Sequence, residues 1–311
     1  MAPAKTFPGS RLGLQTLLGW LAVFASAFCF YLATASIRWA QPKVDISPAY
    51  FAFFRFFLGY GAVCLLLLIK RQALAPRRYD LLIGRTLFNC LAVYCFYTSV
   101  AVTSLAEGNL LNMTYPIFLA ILSWILLKEQ RDVPALFMVL VAFIGIWLIL
   151  SPGKIEPRLE NAWGLGSGFF AAFSILCLNI SRRYHDSETI LYYMFGLGTI
   201  LMYALFHEHI FWPNQQEFWY LMLCGLFGIT GQYLLTLGFL YVTAVEGGII
   251  SSFRILLAAV LGQHIANDPA LGLAGWLGAL LLFLANVVLA LRKSKRLPDP
   301  AAALTPADGS G

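Results

Sequence analysis

Long apolar runs, separated by short polar segments, dominate the pattern of this chain. A helix needs about 20 apolar residues to cross a bilayer, whereas the strands of a membrane barrel are about half as long and alternate in polarity. Ten apolar runs approach the helical length: Leu17–Ile37, Ala49–Ile69, Leu82–Val102, Leu105–Leu127, Val133–Leu150, Ala162–Ser181, Thr189–Phe206, Phe218–Val242, Ala244–Ala266 and Leu271–Leu291. The pattern therefore predicts an all-α membrane protein with ten transmembrane helices.

The composition agrees with a chain that is largely surrounded by lipid. Of its 311 residues, 60% are hydrophobic and only 12% are charged, whereas a soluble domain carries about 25% charged residues. The six cysteines all lie inside apolar runs, and none forms a CxxC pair. This placement is typical of small apolar core residues rather than of disulfides or metal ligands. We predict no metal site and no cofactor.

The lysines and arginines are distributed unevenly between the two sides of the predicted membrane. If the N-terminus is cytoplasmic, fourteen of the 21 lie in cytoplasmic segments, four lie outside and three lie within the runs. The positive-inside rule then places both termini in the cytoplasm. Residues 1–16 form the N-terminal segment, and residues 293–311 form a tail whose proline, alanine and glycine content predicts disorder. The net charge of +6 follows from this topology and requires no nucleic-acid partner.

Two pairs of similar segments indicate an internal duplication. EGNLLN begins at Glu107 and EGGIIS begins at Glu246, while GWLAVFASAF begins at Gly19 and GLGSGFFAAF at Gly164. These alignments pair the first helix with the sixth and the fourth with the ninth. The predicted repeats cover residues 17–151 and 152–292. Because each copy has an odd number of helices, the second crosses the membrane in the opposite direction. Inverted repeats of this kind are typical of transporters with a substrate site near the membrane midplane.

Several motifs are similar to those of one transporter family. A Glu-Gly pair opens helices 4 and 9, PAYFAFFRF (Pro48–Phe56) places an arginine in helix 2, and LLKE (Leu126–Glu129) closes helix 4. Over Leu17–Arg292 the chain resembles the EamA-type exporters of the drug/metabolite transporter superfamily, although the second repeat departs from LLKE at Ile265–Asp268.

The resemblance implies a fold and a transport mechanism. Two inverted five-helix repeats would surround a central cavity lined by helices 1, 3, 4, 6, 8 and 9, and they would rock to give alternating access. It also implies a position in the bacterial inner membrane. Members of the family include amino-acid exporters, so the resemblance favours this class of substrate.

Arg254 is the principal candidate for substrate binding. It follows Glu246 by eight residues, about 12 Å along a helix, and so lies near the middle of a hydrocarbon core of about 30 Å. A charge at that depth usually faces a partner or an aqueous path. Arg254 could bind a carboxylate of the substrate through charge-assisted hydrogen bonds. Alternatively, it could be a structural arginine bonded to backbone carbonyls or to a fixed partner.

Other polar and aromatic residues in the runs could line the same site. Asn112 and Ser251 occupy equivalent positions in the two repeats, as do Tyr115 and Arg254. Asn112 lies three residues before Tyr115, and Ser251 lies three residues before Arg254, so the two residues in each repeat share a helix face. Pro116 should kink helix 4 near its centre and act as a hinge. The remaining candidates for substrate binding are Asn89, Gln232, Tyr97 and Tyr31. Each of these could instead serve helix packing.

Three charged residues are candidates for gating or coupling. Glu107 and Glu246 open their helices, where the macrodipole alone would stabilise a carboxylate; proton coupling or an ion pair with an arginine is the alternative. The inverted repeats would place Glu107 toward the outside and Glu246 toward the cytoplasm. Arg55 lies on the outer side of helix 2 and could form part of the outer gate.

The sequence favours a secondary transporter over an enzyme or a sensor. It contains no HExxH, GxSxG or Walker motif, which zinc proteases, serine hydrolases and ATP-driven pumps use. We expect export of small amphipathic metabolites, with amino acids favoured. A carrier of organic cations or drugs is the alternative, and it would need an accessible acid near the midplane. The expected partners are the small-molecule substrate and the lipid bilayer. The sequence is compatible with a monomer and does not fix the oligomeric state.

Overall fold

The protein is almost entirely helical in the part that the structure describes. A computed structural model describes residues 9–71, 73–126, 133–150, 159–181, 184–241, 244–265 and 271–296. Within these ranges there is no strand, and the helices are α1 (Gly9–Ala40), α2 (Pro48–Lys70), α3 (Tyr79–Val102), α4 (Leu105–Asn112), α5 (Tyr115–Leu126), α6 (Val133–Leu150), α7 (Asn161–Ser181), α8 (Ser187–Phe206), α9 (Gln215–Tyr241), α10 (Ala244–Ile265) and α11 (Leu273–Arg296). A 3-10 turn, His207–His209, follows α8.

Nine of the ten predicted runs each coincide with one helix, and the fourth is divided between α4 and α5. Six helices in the described ranges are long and apolar enough to cross a membrane; they lie in α1, α2, α3, α7, α8 and α9. Shorter apolar segments occur at Phe137–Ile149, Ile250–Gly262 and Leu273–Val288. The all-α membrane fold is therefore confirmed, while the ten crossings and their inversion remain predictions. The first four residues of the predicted tail, 293–296, belong to the end of α11, and the rest of it, residues 297–311, lies outside the described residues.

The break between α4 and α5 lies beside Pro116, where the sequence predicts a kink. α4 ends at Asn112, and α5 begins at Tyr115 with proline as its second residue. Proline has no N–H and therefore cannot donate to the carbonyl of Asn112 four residues earlier. The helical ladder is interrupted at this point in the protein interior.

Two carbonyl groups at this break accept hydrogen bonds from side chains. The hydroxyl of Thr114 donates to the carbonyl of Leu111 at 2.7 Å. Nδ2 of Asn286, on α11, donates to the carbonyl of Met113 at 3.0 Å. An unpaired carbonyl in an apolar interior is costly, so these bonds explain how a broken helix is tolerated here.

The helix contacts repeat between the two halves of the chain. The contact between α1 and α9 corresponds to the contact between α7 and α3. In the same way, the contact between α2 and α9 corresponds to the contact between α8 and α3. α2 also packs against α8, α4 against α10, and α6 against α11. The last pair crosses closely at two glycines, because a Cβ on Gly145 would lie 2.8 Å from the carbonyl oxygen of Gly278. α4 and α10, which carry Asn112 and Arg254, thus meet between the halves.

Candidate functional site

Arg254 lies on α10 with only 6% of its surface exposed. Its Nη2 donates to Oδ1 of Asn112 on α4. Nδ2 of Asn112 in turn donates to Oγ of Ser167 at 3.0 Å, and that hydroxyl donates to the carbonyl of Gly164 at 2.7 Å. A continuous hydrogen-bonded chain therefore joins α10, α4 and α7 and fixes the guanidinium of Arg254.

Two glycines on α7 allow this close approach of α4. A Cβ on Gly164 would lie 2.6 Å from Cβ of Leu111, and a Cβ on Gly168 would lie 2.2 Å from Oγ1 of Thr114. Both distances are shorter than van der Waals contact allows. The small residues at helical spacing on α7 therefore serve helix packing, and they place Asn112 within reach of Ser167.

Arg55, on α2, is the second buried cation of the site. It is 7% exposed, and its Nη1 donates to the hydroxyl of Tyr97 on α3 at 3.2 Å. Gly228 on α9 leaves room for the side chain, since a Cβ there would lie 3.0 Å from both Cδ and Nε of Arg55. This contact joins Arg55, which the sequence predicts for gating or coupling, to Tyr97, which it predicts for substrate binding.

The ring of Phe30, on α1, lies beside both guanidinium groups. Its centre is 5.5 Å from Cζ of Arg55 and 6.0 Å from Cζ of Arg254. Arg254 also lies 5.3 Å from the ring centre of Phe96. Aromatic faces attract cations at such distances. We refer to Arg55, Arg254, Phe30, Phe96, Tyr97 and Asn112 as the arginine cluster.

The positive charge of the arginine cluster is not balanced by an acid in the described part of the chain. Among those residues neither guanidinium lies within ion-pair distance of a carboxylate, and the groups that interact electrostatically with Arg254 are Tyr115, Arg55 and Tyr97. The Nε atoms of both arginines also lack a hydrogen-bond partner there. A single central charge costs roughly 2.5–3.5 kcal/mol on insertion scales, so two adjacent cations are suited to binding an anion.

The other predicted substrate residues are less closely linked to Arg254. Ser251, one turn earlier on α10, is partly exposed, and its side chain forms no hydrogen bond with the described residues. Tyr31 is fully buried on α1. Asn89 is half-buried on α3 and, within the described residues, its side chain forms no hydrogen bond to the arginine cluster. Gln232 is half-buried on α9, next to Gly231, where an added Cβ would lie 3.0 Å from the ring of Phe30.

The two glutamates open their helices, as their positions in the sequence predict. Glu107 lies in the first turn of α4, and its backbone N–H donates to Oγ of Ser104 at 3.0 Å. A carboxylate is stabilised at such a helix start. Glu246 is the third residue of α10, and its side chain lies outside the described residues. Their roles in gating or coupling therefore remain predictions.

Sequence reasoning missed four residues that build or support the site: Phe30, Phe96, Ser167 and Asn286. The chain has 25 phenylalanines, and no local signal separates the two beside the arginines from those that face lipid. Ser167 and Asn286 are polar residues in apolar runs, so their burial could have been anticipated, but their partners could not. A third arginine, Arg85, is also buried, and it donates to Oγ of Ser174 on α7.

An all-helical fold with several lipid-compatible helices and a buried cationic site defines a multi-pass membrane transporter. The chain belongs to the EamA-like transporter family, whose model matches residues 17–151 and again residues 158–291. The resemblance noted in the sequence is therefore confirmed. Because members of the family and the similar proteins are named transporters or carriers, the assignment as a transporter rather than an enzyme is confirmed as well.

Similar proteins come from bacteria and from animals. The chain is 29% identical to an uncharacterised transporter of Helicobacter pylori over 67% of this chain and 72% of the relative. It is 25% identical to the pseudopaline exporter CntI of Pseudomonas aeruginosa, over 88% of this chain and 95% of that protein. Solute carrier family 35 member G1 of Homo sapiens is 24% identical over 89% of this chain and 80% of the relative.

Solved structures share this fold, among them one crystal structure. It aligns with a TM-score of 0.59 at 18% sequence identity and covers 92% of this chain and 99% of its own. At that identity the likeness concerns the fold alone.

Proposed function

We propose that the protein is a secondary transporter that exports a small amphipathic metabolite, with amino acids as the favoured class, by alternating access. The observation that carries the proposal is the environment of Arg254. It is buried, it is held by the neutral side chain of Asn112, and it faces no carboxylate among the described residues. A substrate carboxylate would complete its interactions through charge-assisted hydrogen bonds.

The proposed architecture is ten transmembrane helices in two inverted repeats, residues 17–151 and 152–292, around a central substrate site. The two successive matches to one family model support the duplication. The helix contacts that recur between the halves, such as α1 with α9 and α3 with α7, support a two-fold relation. The distribution of lysines and arginines favours cytoplasmic termini, and bacterial relatives favour an inner membrane.

Within this architecture we assign roles to the sequence-predicted residues. Arg254 and Asn112 would bind the substrate, with Tyr115 close to them. Ser251, Asn89, Gln232, Tyr97 and Tyr31 would line the path. Arg55, Glu107 and Glu246 would change partners between access states, and Pro116 would let α5 move relative to α4.

Transport into proteoliposomes tests the proposal. Purified protein would be supplied with a panel of labelled amino acids, with organic acids, organic cations and nucleobases as competitors. We expect saturable uptake of a carboxylate-bearing substrate that Arg254→Gln abolishes. The matched control is Arg85→Gln, because Arg85 is equally buried but contacts Ser174 instead of the arginine cluster. Uptake of cations alone, unchanged by Arg254→Gln, would contradict the proposal and favour a cation or drug carrier.

A further inference from the structure

The arginine cluster contains two cations that share one aromatic neighbour. Arg55 reaches Phe30 from α2, and Arg254 reaches it from α10. Each guanidinium is held by a different neutral partner, Tyr97 for Arg55 and Asn112 for Arg254. The two groups are therefore held from different helices, and each Nε is left without a hydrogen-bond partner in the described residues.

The charge of the cluster indicates how many anionic groups a ligand needs. Arg55 and Arg254 lie close enough to interact with each other, and this mutual repulsion is not offset by a carboxylate in the described part of the protein. Burial in a low-dielectric interior strengthens the repulsion. A ligand with one carboxylate would pair with one guanidinium and leave the other uncompensated, whereas a ligand with two would neutralise both.

We propose that the substrate carries two carboxylates joined by a short apolar segment, and this inference rests on the proposed transport function. One carboxylate would pair with Arg254 and the other with Arg55, while the segment between them would contact Phe30. Arg55 and Arg254 are held from different helices by different partners, so each of two separate carboxylates can face one guanidinium, whereas a phosphate carries its charges on one compact group. Planar carboxylates also match the two-pronged donor geometry of arginine.

Competition experiments on the unmodified protein test the number of carboxylates. The matched ligand pairs are glutarate with its half-amide, and L-glutamate with L-glutamine, because each pair differs by one carboxylate replaced by an amide. We expect the dicarboxylate to inhibit uptake of the transported substrate at a concentration at least tenfold lower than its amide, in at least one pair. Equal inhibition within both pairs, or stronger inhibition by glycerol 3-phosphate than by either dicarboxylate, would overturn the inference.

Variants then separate this inference from the proposed function. We expect Arg55→Gln to keep measurable uptake but to lose the preference for the dicarboxylate over its half-amide, while Arg85→Gln retains that preference. If Arg254→Gln loses uptake but Arg55→Gln keeps the preference for the dicarboxylate, the proposed transport function is supported. The inference that a second carboxylate pairs with Arg55 is then overturned. Failure of every carboxylate to inhibit the unmodified protein would instead contradict the proposed function itself. The ligand pairs need no variant, so misfolding of a variant does not obscure the result.

Discussion

The guanidinium of Arg254 donates a hydrogen bond to the side-chain amide oxygen of Asn112. The two residues are 142 positions apart and belong to helices that the proposed duplication would make equivalent. The contact thus joins the two halves of the chain at the point where α4 is interrupted. An amide holds a cation in place without neutralising it, and the positive charge stays available for a ligand.

Replacing Asn112 with aspartate would neutralise this charge. The Asn112→Asp side chain has the same shape and would form an ion pair with Arg254, so we expect a folded protein with an anionic-substrate KM raised about tenfold or more, equivalent to roughly 1.4 kcal/mol. Transport kinetics and thermal unfolding in detergent would measure both effects. Asn89→Asp is the matched control, because it adds the same charge at a residue whose side chain does not hydrogen-bond to the described arginine cluster. An unchanged KM in Asn112→Asp would count against anion binding at Arg254.

Gly228→Ala would displace Arg55 without adding a polar group. The new Cβ would lie 3.0 Å from Cδ and Nε of the arginine, which is too close without a shift of the side chain. Alanine otherwise favours a helix over glycine by about 1 kcal/mol, so a loss of transport would come from the displaced arginine. We expect a several-fold drop in uptake rate. Gly61→Ala, with open space around its Cβ, is the control and should transport normally; equal effects would argue against a role for Arg55.

Asn286 should stabilise the interrupted helix. Its amide donates to the carbonyl of Met113 at the break, and Asn286→Leu would leave that carbonyl without this donor. Interhelical hydrogen bonds in membranes contribute about 0.6 kcal/mol on average and up to about 1.7 kcal/mol, so we expect a destabilisation in that range. Unfolding in mixed micelles, compared with Asn89→Leu, would measure it. A variant as stable as the parent protein would show that the break needs no such support.

His185 should fix the segment that connects α2 to α3. Its Nε2 accepts hydrogen bonds from the backbone N–H groups of Arg77 and Arg78 at 3.0 and 3.1 Å, while Nδ1 lies 2.9 Å from Oγ of Ser181. Because leucine cannot accept these bonds, we expect His185→Leu to accelerate hydrogen exchange at residues 73–78. Mass spectrometry of the exchanged peptides would show this. His207→Leu, which changes an exposed histidine, should leave those peptides protected; identical exchange in both variants would contradict the role of His185.

Most of the fold could be predicted from the sequence because each helix has a local cause. The apolar runs correspond to helices since a backbone in lipid must satisfy its own hydrogen bonds. Pro116 predicted an interruption because proline lacks an N–H, and α4 does end just before it. Glu107 was expected at a helix start, and it is found there. Each of these inferences needed only a residue and its near neighbours.

The arginine cluster was only partly predictable. Arg254 and Asn112 stood out because polar groups in apolar runs are costly, but their contact depends on how α4 and α10 pack. The role of Arg55 in an outer gate remains a prediction, and its position beside Phe30 and Tyr97 became visible only in the structure. Phe30 could not be distinguished from the other phenylalanines, since apolar side chains in a membrane carry no local signal of which ones meet a cation.

The sequence by itself determined that the chain is helical, lies in a membrane and carries charges that need partners, because hydropathy, proline chemistry and charge depend on residues near one another. The tertiary structure decided which of those charges meet. Arg55 lies where Gly228 on α9 leaves space for it, and glycines on α7 let α4, which carries the Asn112 partner of Arg254, approach closely. Packing of that kind depends on distant segments fitting each other in space, and no stretch of sequence contains that information alone.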